Sequence, residues 1–156
     1  MSDIEEPRWY YFHLNPEPWE IGQASVGRRG GKYYANIGRS EQLYSYQEAV
    51  RECFGEPDMM EGYLKLTFFF WRRLDTYRYE KERTARKHEA DATNLQKALE
   101  DALQGYLFNN DKDNHDIRSI IVVQDEATEP AIIVKAEQFD TSVYRECIRT
   151  QWRNLP

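Results

Sequence analysis

The sequence predicts a single α/β domain in which helices pack against a small mixed β-sheet. Three observations carry that prediction. Residues 63–71 (YLKLTFFFW) alternate and then become continuously apolar, the pattern of a central strand covered on both faces. Between residues 91 and 107, Leu95, Ala98, Leu99, Ala102, Leu103 and Tyr106 recur at helical spacing, with Asn94, Lys97, Asp101 and Gln104 on the opposite face. The chain of 156 residues, 40% hydrophobic and 14% aromatic, has the size and apolar content for one core and is far from the aromatic-poor composition of disorder.

The remaining elements follow in order. Residues 9–14 (WYYFHL) form a short aromatic strand stopped by Asn15-Pro16-Glu17-Pro18. Residues 32–37 form a second strand entered through a Gly30-Gly31 turn. Ser40 with Glu41, or Ser45 with Glu48, caps a helix that runs to about Phe54, where Gly55-Glu56-Pro57 ends it. The strand at 63–71 leads into a basic loop over residues 72–88, then the helix at 91–107 and a polar turn over 109–114. Residues 118–123 and 131–136 are strands that the acidic turn at 124–130 joins into a hairpin. Residues 141–152 close the chain as a helix with Val143, Tyr144, Cys147, Ile148 and Trp152 on one face. Cys53 and Cys147 lie in amphipathic stretches without CxxC spacing and are expected to be buried free thiols, as suits a reducing cytoplasm.

Charge narrows the functional classes. The balance of 21 Lys and Arg against 27 Asp and Glu, net −6, argues against a protein that coats nucleic acid. Residues 72–88 run the other way, with 7 basic and 3 acidic side chains, and lead directly into an acidic C-terminal portion. A second stretch, residues 22–39, holds Arg28, Arg29, Lys32 and Arg39 and no acid. No apolar run approaches the ~20 residues of a membrane span, and the acidic N-terminus lacks the pattern of a signal peptide. A cytoplasmic protein without a membrane partner is expected. His13, His88 and His115 show no zinc spacing, and the glycines match neither GxGxxG nor GxxxxGK[ST], so no nucleotide cofactor is expected.

One constellation points to chemistry. Asp91 opens a helix, Asn94 and Lys97 lie along its polar face, and Asp111 sits in the turn that leaves it. The segment DATNLQKALEDAL at 91–103, followed by Asn109-Asn110-Asp111 and by Asp116-Ile117-Arg118, resembles the RusA-type Holliday junction resolvases. Their signature is D-x-D-N-L-x-K-A-x-x-D-A-L with a later D-D pair. The likeness runs from about Trp9 to Ala136 and includes a PWxP-like turn at residues 16–19, a basic glycine-containing segment, a helix, a central strand and an Arg-rich loop in the same order.

The resemblance implies a homodimeric, Mg²⁺-dependent endonuclease that cuts branched DNA such as a four-way junction. It makes Asp91 and Asp111 the metal ligands and Lys97 the functional lysine. Thr93 stands where the family has its second aspartate, and Asn110 replaces the first member of the later pair. Thr93 reads as the cap of a Thr93-Asn94-Leu95-Gln96 box, and Glu89, Asp101 and Asp113 are candidates to supply the missing charge. Phosphodiester hydrolysis develops charge on the attacking and leaving oxygens, which Mg²⁺ on a few carboxylates stabilises and a lysine can share. Arg72, Arg73, Lys81, Arg83, Arg86 and Lys87, with Arg28, Arg29 and Lys32, are the expected phosphate contacts, and Tyr33, Tyr34, Tyr77 and Tyr79 are placed to stack on unpaired bases. Two other readings stay open: a relative that binds branched or single-stranded DNA without cutting it, and an acidic protein-interaction module.

Overall fold

The computed structural model describes residues 5–19, 25–36, 40–74, 89–142, 144, 145 and 153. Its centre is β4, Leu64–Arg73, whose side chains Leu64, Leu66, Phe68 and Phe70 are fully buried on one face. Around it stand β1, Arg8–Phe12, β5, Asn114–Asp125, and β6, Ala131–Gln138, in the order β1-β6-β4-β5. The sheet is mixed: β5 runs parallel to β4, whereas β6 runs antiparallel to both β4 and β1. The expected α/β class with a small mixed sheet is therefore the observed one.

The expected hairpin of the last two strands does not form. Both strands exist, but β4 lies between them, with Phe69 in register with Ile120 of β5 on one side and Ile133 of β6 on the other. A strand as apolar as β4 buries most when neighbours cover both its edges, and the turn from Glu126 to Pro130 is long enough to pass over one strand, ~10 Å across. β4 also differs from expectation on its second face. Phe69 and Trp71 there are only partly buried, so among the described residues helices close one face and not the other.

Both helices cover the closed face. α1, Glu41–Phe54, starts where the Ser40 side chain accepts the Leu43 N–H and ends at Gly55, whose φ of 80° a side chain would resist. It inserts Leu43, Tyr46 and Val50 between the sheet and α2, Ala92–Leu103, which contributes Leu95, Ala98, Leu99, Ala102 and Leu103. Polar side chains lock the pair together. Gln47, fully buried, donates to the Ala98 carbonyl at 3.0 Å, and Arg51 donates to the Asp101 and Ala102 carbonyls at the end of α2.

α2 is shorter than its periodicity suggests. Residues 104–108 leave the helix in a turn with Gly105 at φ 84°, and a 3₁₀ turn at Asp111–Asp113 leads into β5. β2, Ser25–Arg29, and β3, Lys32–Asn36, form a separate hairpin through Gly30 and Gly31, both at positive φ. β2 was not anticipated from sequence. Cys53 is exposed, contrary to the expected buried thiol, because it lies beyond the apolar stripe near the end of α1. Cys147, and most of the expected closing helix at 141–152, lie outside the described residues.

A strap at residues 15–19 fastens the end of β4 to the start of α2. Asn15 exchanges two 2.8 Å hydrogen bonds with the Arg73 backbone, Arg72 Nε donates to the Pro16 carbonyl at 2.9 Å, and the Trp19 N–H donates to the Asn94 carbonyl at 3.0 Å. Arg72 is thus part of the fold, only 8% exposed, and not the phosphate contact its sequence position suggests. Truncating it to Ala should lower stability by ~2–4 kcal/mol, the scale of two charge-assisted hydrogen bonds and the acceptors they leave unpaired. Arg73→Ala should change stability by less than ~0.5 kcal/mol. Urea unfolding of the two variants checks the contrast.

Candidate functional site

Asp91 stands just ahead of α2 as its N-cap. Its Oδ1 accepts the Asn94 N–H at 2.8 Å, and Oδ2 accepts from Asn94 Nδ2 at 3.1 Å. The negative charge sits at the positive end of the helix dipole, and each carboxylate oxygen keeps a lone pair free for a ligand. The expected cap at Thr93 is therefore corrected: Thr93 is an exposed residue already inside the helix. Tertiary contacts set the start earlier. Gln124, at the carboxyl end of β5, grips the peptide before Asp91 from both sides, its Oε1 accepting the Ala90 N–H at 2.8 Å and its Nε2 donating to the Ala90 carbonyl at 3.2 Å. The same Oε1 accepts from Arg72 Nη1 at 2.9 Å.

Lys97 lies two turns further along α2, its Nζ 4.0 Å from the centroid of the Trp19 ring. The indole face attracts the ammonium and limits its sweep, while the strap bond from Trp19 to Asn94 ties that ring to the helix carrying Asp91. Asp91, Lys97, Trp19, Arg73 and Gln124 thus gather at one end of the molecule, beyond the carboxyl ends of the parallel strands β4 and β5. That is where open α/β sheets place their ligands. Residues 75–88, and with them Lys81, Arg83, Arg86 and Lys87, lie outside the described residues. On the β2–β3 hairpin, Arg28 and Lys32 are exposed, with the Arg28 guanidinium 5.5 Å from the Tyr33 ring; the Arg29 side chain is not among those described.

Asp111 is elsewhere. It begins the turn ahead of β5, next to the carboxyl end of α2, where Asn114 Nδ2 donates to Glu100 Oε1 at 2.8 Å. Glu100 lies nine residues beyond Asp91, an axial separation of ~14 Å on a helix. A Mg²⁺ ion takes its oxygen ligands at ~2.1 Å, so Asp91 and Asp111 of one chain do not share an ion. Among the described residues no group of three or more His, Cys, Asp or Glu side chains comes together to hold a metal. Of the candidates for the missing charge, Glu89 is exposed beside Asp91, and Asp101 and Asp113 lie at the Asp111 end. The acid that the sequence did not single out is Glu100. Partial burial first, then the nearby Asp111 and Asp101 charges, push its carboxyl above the ordinary glutamate range, against a lowering bond from Asn114. Carboxylates drawn together against their mutual repulsion are a common feature of cation sites.

The family model for endodeoxyribonuclease RusA matches residues 17–137, which span the end of the strap, both helices and nearly all of the sheet after β1. The chain belongs to the RusA endodeoxyribonuclease family. No curated protein matches it in overall sequence. RusA enzymes are junction-binding nucleases that generally depend on a divalent metal, and the part of this chain that matches the family contains Asp91, Lys97 and Asp111. Among the described residues no helix is long and apolar enough to cross a membrane. Sequence reasoning missed Gln124, which carries no motif signal as a lone amide at a strand end, and saw Trp19 only as part of a proline-rich turn.

Since Glu100 holds its proton more tightly in the folded chain than in the unfolded one, the stability it contributes is full below the ordinary glutamate pKa and lost as pH rises through the raised value. Glu100→Gln mimics the protonated form and still accepts from Asn114. It should raise the unfolding midpoint at pH 7, and the gain over wild type should shrink toward zero as pH falls below ~4. Thermal melts between pH 3 and pH 8 read this directly.

Proposed function

We propose that the protein is a Mg²⁺-dependent, structure-selective endodeoxyribonuclease that resolves four-way junctions and other branched DNA, acting as a homodimer. The observation that carries this reading is the family match over residues 17–137 together with the gathering of Asp91, Lys97 and the ends of the basic segment at the carboxyl edge of the parallel strands. Two-fold symmetry suits a junction, in which two like strands must be cut.

Among the described residues one chain does not bring its two motif aspartates together, because they stand at opposite ends of α2. The homodimer resolves this. Asp91 of one protomer and Asp111 of the other, with Glu100 beside it, then supply the carboxylates jointly, and Glu100 makes up for the aspartate that Thr93 replaces. A divalent ion held there supplies charge stabilisation for the developing oxyanions. The chain's own contribution is positional. Asp91 is fixed by the helix it caps and by Gln124, Lys97 presents an ammonium that can approach the scissile phosphate, and Arg73 with the basic segment offsets phosphate charge. Thr93 and Asn110 at motif positions also support a second reading, a relative that binds junctions without cutting them.

Asp91→Asn and Asp111→Asn should each abolish cleavage of a synthetic four-way junction in Mg²⁺ while leaving fold and junction binding intact. Mixed and allowed to exchange subunits, the two inactive variants should regain cleavage of one strand, because one site in each heterodimer keeps Asp91 from one chain and Asp111 from the other. Junction binding without Mg²⁺-dependent cleavage by the wild-type chain would favour the non-cutting relative. Lys97→Ala should slow single-turnover cleavage by ~100-fold, the scale of losing one transition-state charge partner, with little change in junction affinity.

A further inference from the structure

Lys97 carries its ammonium on a flexible stem that projects from an exposed position of α2, so its charge has several places to go. On a helix that stem reaches the residues three and four away on either side, here Thr93 and Asn94 toward the start of α2 and Glu100 and Asp101 toward its end. Either acid would draw the ammonium to the carboxyl end of the helix and neutralise it there. Among the described residues Lys97 forms no ion pair, and its Nζ stands instead 4.0 Å from the centroid of the Trp19 ring. An indole holds a cation through its ring quadrupole and adds no formal negative charge. The ammonium is confined, and its charge stays available.

The strap fixes the ring. Trp19 is partly buried against the core, its N–H donates to the Asn94 carbonyl at 3.0 Å, and Pro16 and Pro18 restrict the backbone that leads to it. The Pro16 carbonyl in turn accepts from Arg72 Nε at 2.9 Å, which anchors the strap to the end of β4. Asn94 lies one turn nearer Asp91 than Lys97 does, and its side chain donates to Asp91 Oδ2 at 3.1 Å. Asn94 thus connects the tryptophan that holds the ammonium with the carboxylate at the helix start. Side chains of a helix lean toward its amino end, so the lysine stem runs toward the turn at which Trp19 is anchored and away from Glu100 and Asp101.

We propose that Trp19 is a positioning residue for Lys97: its ring keeps the ammonium at the Asp91 end of α2 and off the acids of the far end, so that a DNA phosphate meets the charge. The inference rests on the reading of Lys97 as a charge partner of the scissile phosphate and names the residue through which that role is set. Trp19 touches no reacting atom and acts through Lys97 alone.

The experiment compares Trp19→Leu, which keeps apolar packing and loses the ring, with Trp19→Phe, which keeps a ring face. Single-turnover cleavage of a four-way junction in Mg²⁺ should fall ~10-fold in the first and recover most of the wild-type rate in the second, with junction affinity little changed in either. In a Lys97→Ala background Trp19→Leu should slow cleavage no further, because a residue acting only through Lys97 has nothing left to act on. Equal slowing by Trp19→Leu with and without Lys97 overturns the assignment. A second readout needs no cleavage. In NMR spectra of the full chain the Lys97 ε-methylene signal should be displaced upfield by the indole ring current, stay displaced in Trp19→Phe and return to the ordinary lysine position in a folded Trp19→Leu chain. Uncut junction added without Mg²⁺ should shift that signal in wild type and Trp19→Phe, and much less in Trp19→Leu. An undisplaced Lys97 signal in the folded wild-type chain, or an equal response to the junction in all three chains, overturns the proposal whether or not the chain cuts. A wild-type chain that binds junctions without cutting them and gives the expected spectra overturns the nuclease reading alone.

Discussion

The structure depends on the burial of β4. Leu64, Leu66, Phe68 and Phe70 have no solvent exposure, and satisfying that strand requires a neighbour along each edge and a helical layer on one face. The sheet order follows from this. With β6 on one side and β5 on the other, β4 hydrogen-bonds along both edges, and the parallel pairing with β5 requires a crossover that returns to the opposite end of the sheet. α2 lies on that crossover, which is why Asp91 emerges at the carboxyl end of the parallel strands and Asp111 at their amino end. Packing of an apolar strand thereby fixes where the acidic residues stand.

Around Asp91 the arrangement is held by backbone-directed bonds more than by ion pairs. Arg72, Gln124, Asn15 and Trp19 each bond to a main-chain atom of a neighbouring segment, binding the end of β4, the proline-containing strap and the start of α2 into one unit. Such bonds are directional and do not weaken with salt as exposed ion pairs do. The Lys97 and Arg73 side chains are exposed there and take no part in these bonds, whereas Asp91 caps α2. Arg72 and Arg73 are adjacent in sequence and opposite in role because alternate residues of a strand face opposite ways.

The same division explains how much of the site was legible in the residues. Asp91, Lys97 and Asp111 were legible as motif positions, since spacing and residue type survive in a linear sequence. The separation of Asp91 from Asp111 was not, because it depends on how far α2 carries the chain before β5 begins. Thr93 reads as a cap until Gln124 is seen to hold Ala90, which moves the helix start to the preceding residues. Glu100 looks like one more acid on a polar helix face until Asn114 and Asp111 are brought against it.

By itself the sequence determined the element types and most of their order: a continuously apolar run must be an interior strand, a 3.6-residue apolar period must be a helix laid on it, and Ser40, Gly55 and the Gly30-Gly31 pair must mark ends and turns, because these preferences are local. Only the tertiary structure decided that β4 separates β5 from β6, that Arg72 is buried while Arg73 is exposed, that Cys53 faces solvent, and that the two motif aspartates of one chain stand apart. Each of these depends on which distant segments compete for the same strand edge or the same buried face. That competition is settled by total burial and hydrogen bonding across the whole fold, to which no single stretch of sequence has access.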